Sequence, residues 1–72
     1  MTRVEAEVLN YLVVFIAENG YSPSVSEVCA HFGWSAPSTA HVRLQSLEAQ
    51  GRITWNPRQS RTVRVVYQEV AS

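Results

Sequence analysis

The chain has 72 residues, 46% hydrophobic and 17% charged, a balance that fits one small globular domain with a single core and excludes both a disordered chain and a second independent site. Its formal net charge is zero, yet residues 1–35 are acidic, with Arg3 against Glu5, Glu7, Glu18 and Glu27, while residues 36–72 set Arg43, Arg52, Arg58, Arg61 and Arg64 against only Glu48 and Glu69. The apolar run from Tyr11 to Ala17 is too short to cross a bilayer, no signal peptide precedes it, and the lone Cys29 has no cysteine partner for a disulfide or metal site, so the expected setting is cytoplasmic, without a membrane.

The first expected element is a helix over Thr2 to Asn19. Val4, Val8, Leu12, Phe15 and Ile16 recur at helical spacing, and Gly20 supplies a stop. Val13 and Val14 cannot both share the stripe of Leu12 and Phe15, so at least one should be exposed. Tyr21-Ser22-Pro23 then forms a turn, with Pro23 holding the chain extended. Ser24-Val25-Ser26-Glu27 fits a capping box in which Ser24 and Glu27 satisfy each other's backbone N–H groups, and so starts a short second helix. Val25, Val28, Cys29 and Phe32 should line its inner side, with Cys29 a small buried hydrophobe, His31 on the surface and Gly33 at the end.

Gly33-Trp34-Ser35 is a tight link in which Trp34 can anchor the turn. The stretch from Ser35 to Gly51 reads as a third helix, with Pro37 suited to its first turn and Gly51 to a left-handed residue at its end. Ala40, Leu44 and Leu47 form the core stripe, which leaves Ser38, Thr39, His41, Val42 and Gln45 facing outward. A helix that needs only solubility would carry Glu and Lys there. Short hydrogen-bonding side chains with one apolar group instead suit the reading of base edges in a DNA major groove.

After Gly51 the pattern changes to two β-rich runs, Arg52 to Trp55 and Thr62 to Tyr67, around the turn-forming Asn56-Pro57-Arg58-Gln59-Ser60-Arg61. Strand alternation puts Ile53, Val63 and Val65 inside and Thr54, Thr62 and Arg64 outside, with Arg58 and Arg61 at the hairpin tip. The fold class is thus mainly α with a small antiparallel β hairpin, a winged helix-turn-helix over residues 1–67 followed by a frayed tail over 68–72.

The run Gly20 to Val28, Gly33-Trp34, Pro37 to Leu44, Leu47 to Gly51 and the Asn56-Pro57 turn followed by Arg58 and Arg61 resembles the DNA-binding domain of LexA repressors over about residues 2–66. The resemblance implies that the third helix enters the major groove, that the wing approaches the backbone and minor groove, and that double-stranded DNA is the partner. Carried over by position, it implies base reading at Ala36, Ser38, Thr39, His41 and Val42, with Arg58 and Arg61 on the wing. Gln45 suits pairing with adenine, Val42 packing on a thymine methyl, and Arg43, Arg52 and Arg64 phosphate contacts or surface ion pairs.

LexA proteins continue into a self-cleaving peptidase domain that also dimerises them, and this chain stops before one. Trp55 stands where the family commonly has a charged residue, and Val13 and Val14 replace more polar positions. The expected function is therefore a small transcriptional regulator or repressor, of phage or mobile-element type, acting as a homodimer or beside a larger partner. The competing reading is a winged helix that docks on another protein through Val13, Val14 and Trp55. An enzyme is not expected, nor a cofactor, metal or small-molecule substrate: His31 and His41 have no acidic orienter nearby, aspartate is absent, and the domain is too thin for a deep pocket.

Overall fold

The computed structural model describes residues 1–67; the expected tail from Gln68 to Ser72 lies outside the described residues. Three helices, α1 (Arg3–Asn19), α2 (Val25–Phe32) and α3 (Pro37–Ala49), precede an antiparallel hairpin of β1 (Ile53–Thr54) and β2 (Arg64–Val65). The helical ends follow local chemistry. Thr2 and Glu5 form a capping box on α1, Ser24 and Glu27 form one on α2, and Gly20 and Gly33 end these helices with left-handed backbone. At the end of α3, the Gly51 N–H donates to the Glu48 carbonyl and the Arg52 N–H to the Leu47 carbonyl, both at 2.9 Å, around a Gly51 φ of 73°. That paired closure turns the chain directly into the wing.

The core is built from the expected stripes. Val8 and Leu12 of α1, Val28 and Cys29 of α2, Ala40, Leu44 and Leu47 of α3, and Ile53 and Val63 of the wing are all buried in one cluster. Burying each large aliphatic side chain contributes roughly 1.5–3 kcal/mol, which is how a domain this small holds together. Val4, Val25, Phe32, Trp34 and Val65 pack around that cluster half-buried, so the rim of the core is wetter than the periodicity suggests. Phe15 and Ile16 are also only half-buried.

The wing differs from its sequence reading in two respects. Its ladder is short, pairing Ile53 with Val65 and Thr54 with Arg64, and one further hydrogen bond runs from the Val66 N–H to the Arg52 carbonyl. Thr62 is not an outward strand residue. Its half-buried hydroxyl accepts from the Asn56 N–H at 2.9 Å and lies 3.0 Å from both the Asn56 and Gln59 carbonyl oxygens, closing the turn from within. Local hydroxyl-to-backbone bonding has replaced ladder pairing there.

Val14 is exposed while Val13 is half-buried. The surface depression around Val14 is shared with Arg3, Ala6, Glu7, Asn10, Tyr11 and His31, which makes it a mixed polar surface. Trp55 lies elsewhere, half-buried against the core and against α3. None of the helices among the described residues is long and apolar enough to cross a membrane.

Candidate nucleic-acid interface

Helix α3 is seated by Ala40, Leu44 and Leu47, each at most 1% exposed, and touches α1, α2 and β1. Residues displaced from that stripe must therefore face away. Ser38, Val42 and Gln45 are exposed, Val42 at 59%, whereas Thr39, His41 and Arg43 are half-buried. Ser38, Thr39, Val42 and Arg43 together line a shallow depression on the first half of the helix.

Ala36 is exposed and is the N-cap residue of α3, with no side-chain cap, and Pro37 occupies the first turn. Its carbonyl is anchored instead, accepting from the Thr39 N–H at 3.2 Å and the Cys29 thiol at 3.7 Å. The positive end of the helix dipole therefore meets solvent without a side-chain acceptor in place.

His41 is turned toward the wing. Its ring meets the Trp55 indole edge-on, with centroids 5.2 Å apart, and the Trp55 Nε1 is buried without a hydrogen-bond partner among the described residues. Half-buried, Trp55 packs between α3 and the start of the wing.

The two wing-tip arginines are in different circumstances. Arg58 is exposed, and its N–H donates to the Asn56 side-chain oxygen at 3.0 Å, an Asx turn that shapes the tip. Arg61 folds back onto the α1–α2 turn. Its Nη1 sits 2.6 Å from the Glu27 carboxylate and donates to the Ser22 carbonyl at 3.2 Å, and its guanidinium carbon lies 4.9 Å from the centre of the Tyr21 ring. It does so from a left-handed backbone with φ 57°, a conformation that costs an L-residue roughly 1–2 kcal/mol. The Ser24 backbone N–H first, and Arg61 after it, hold the Glu27 carboxyl below its ordinary range despite some burial. Among the described residues, Arg43, Arg52, Arg58 and Arg64 make no ion pair.

Two features of the scaffold lie beyond the sequence reading. Glu5 is buried and joins α1 to the end of α3. It accepts from the Gln50 Nε2 at 3.3 Å and the Thr2 N–H at 2.8 Å. The Ser46 hydroxyl above all, then the Thr2 N–H, bring its carboxyl down to about 2. The Thr-Arg-Val-Glu spacing of a capping box was the available signal for its local half. The second feature is a run of aromatic contacts from Tyr21 through Phe15, Tyr11 and Phe32 to Trp34, with His31 stacked on Tyr11 at 4.1 Å. Among the described residues no group of His, Cys and carboxylate side chains could hold a metal ion.

The family model for the LexA DNA binding domain matches residues 1–62. The chain is 33% identical over 66 residues to the LexA repressor of Carboxydothermus hydrogenoformans, covering 92% of this chain and 32% of that protein. It is 38% identical over 66 residues to the LexA repressor of Thermosipho africanus, with 92% and 33% covered, and 36% identical over 62 residues to that of Ruminiclostridium cellulolyticum, with 86% and 29% covered. The chain therefore spans about a third of the length of these curated relatives. Three helices followed by a short wing, together with a match over residues 1–62, establish that this chain belongs to the LexA DNA binding domain family.

Proposed function

We propose that the domain is a sequence-specific transcriptional regulator that binds double-stranded DNA with α3 in the major groove and the wing on the neighbouring backbone or minor groove. The observation that carries this reading is the outer face of α3, where Ser38, Val42 and Gln45 are exposed and uncharged. Ser38, Thr39 and Gln45 supply donors and acceptors for base edges, Val42 packs on a thymine methyl, and Ala36 allows close approach at the helix start. His41, held by Trp55, offers its free ring edge. Arg43 and Arg58 serve as phosphate contacts that set position without reading sequence.

A single small interface gives limited affinity, so two copies on half-sites about one helical turn apart complete the reading. The test is selection from a random duplex library at physiological ionic strength, where a Debye length of roughly 8 Å suppresses loose binding. Enrichment of a motif, with an inverted repeat for the paired form, is the expected result. No enriched sequence would overturn the assignment.

A further inference from the structure

The reading of Arg61 as a DNA contact competes with its geometry. Three contacts hold its guanidinium against the α1–α2 turn and the start of α2: the Glu27 carboxylate at 2.6 Å, the Ser22 carbonyl at 3.2 Å and the Tyr21 ring face at 4.9 Å. The strands of the wing are held by the burial of Ile53 and Val63 and by the packing of Trp55, but the ladder pairs only Ile53 with Val65 and Thr54 with Arg64 and stops short of the tip. Beyond the ladder, the tip is closed by local bonds among Asn56, Arg58, Gln59 and Thr62, which shape the loop without tying it to the helices. Arg61 sits at the end of that loop, in a backbone conformation that an arginine adopts only when its surroundings hold it there.

We propose that Arg61 is a positioning residue that clamps the wing tip to the α1–α2 turn and to Glu27 at the start of α2, so that Arg58 is presented to DNA from a tip already in place. This rests on the DNA-binding reading for its purpose, and on the structure of the free chain for its mechanism. A guanidinium suits the task because its fork serves a carboxylate and a carbonyl together while its face lies on an aromatic ring. Clamping before binding spares the domain the cost of ordering the loop when it meets the duplex. Glu27 thereby has two roles, since the oxygen that faces Arg61 also accepts from the Ser24 N–H at 2.9 Å in the capping box of α2.

The test uses Glu27→Gln, Arg61→Gly and the double variant. Glutamine preserves the capping box, which accepts Glu or Gln, and removes only the charge. Glycine takes the left-handed backbone without strain but is itself more mobile, so Glu27→Gln, which leaves the wing sequence intact, carries the decision. In the free protein, amide relaxation should give order parameters of about 0.85 from Arg58 to Thr62 in the parent chain and values falling toward about 0.6 in all three variants. Unchanged order in Glu27→Gln would overturn the clamp.

The second measurement is affinity for a random-sequence duplex at low salt. A clamp predicts that both single variants weaken binding, by about three- to tenfold from the ordering cost restored, and that adding Glu27→Gln to Arg61→Gly weakens it no further. A phosphate ligand predicts the opposite for Glu27→Gln, which would tighten binding because it deletes a negative charge, and that result would overturn the proposal. Should the parent chain bind no duplex at all, the DNA-binding reading fails while the relaxation data still decide the clamp.

Discussion

His41 and Trp55 meet edge to face, their ring centroids 5.2 Å apart and their planes at 72°, and this contact couples the outer half of α3 to the first residue beyond β1. The hydrophobic core fixes where α3 lies. The His41–Trp55 contact bears on how the imidazole is held at its surface and how the wing leaves it.

Trp55 carries an indole N–H that is buried without a partner among the described residues. Phenylalanine would keep an aromatic face for His41 and remove that unpaired donor, so Trp55→Phe should cost less than about 1 kcal/mol. Trp55→Ala removes the packing and should cost about 2–4 kcal/mol, somewhat below the loss for a fully buried aromatic. Urea denaturation of the three chains checks the ordering.

Val42 is 59% exposed, so its truncation should leave folding nearly untouched, within about 0.5 kcal/mol. Its loss should appear only in base discrimination. Val42→Ala should relax preference at one thymine position per half-site, by about 1 kcal/mol, as read by repeating the duplex selection. Unchanged preference at every position would remove Val42 from the reading set.

Glu5 supplies the pH dependence. Its folded carboxyl titrates at about 2 against an ordinary 4.5, because Ser46, Thr2 and Gln50 donate to the charged form. A depressed carboxyl stabilises the fold fully above its unfolded value and loses that contribution as pH falls toward the folded one. The melting temperature of Glu5→Gln, which keeps a capping side chain, should lie below the parent's at pH 7, and the gap should narrow between pH 4.5 and 2. Glu27 shifts in the same direction, so the parent retains part of its acid sensitivity in this variant.

Gly51 has a φ of 73°, and a Cβ built there meets nothing within 4 Å. The cost of Gly51→Ala is therefore conformational alone, about 1–2 kcal/mol. Gly51→Asn should cost less, because asparagine tolerates the left-handed region better. Thermal melts of the two variants distinguish this from a packing effect.

Arg58 is the wing cation left free of an ion pair among the described residues at the hairpin tip. Arg58→Ala should weaken binding to specific and random duplexes alike and lower the slope of log affinity against log salt by about one. A slope unchanged within error would mean that the tip does not reach a phosphate.

The division between sequence and structure follows contact range. The Ser24–Glu27 capping box, the helix stops at Gly20 and Gly51, the Pro37 start and the Ala40, Leu44 and Leu47 stripe are all written within a few neighbouring positions, because helix ends and faces depend on groups three or four residues apart. So the three helices, the wing and the exposure of Ser38, Val42 and Gln45 are legible in the sequence, whereas the turn of His41 toward Trp55 is not. Thr62 escaped that reading because its hydroxyl prefers nearby backbone groups to a ladder, a competition that strand periodicity does not register.

What only the tertiary structure decided is where the long polar side chains end. Arg61 finds the Ser22 carbonyl 39 residues earlier, and Gln50 reaches Glu5 across 45. In sequence, Arg61 is a basic residue at a hairpin tip, equivalent to Arg58, and Glu5 shows only its local capping-box spacing from Thr2. A flexible side chain can satisfy its charge in many places, and no spacing rule selects among them. The packed core does so, by bringing one carboxylate and one carbonyl to the reach of one guanidinium.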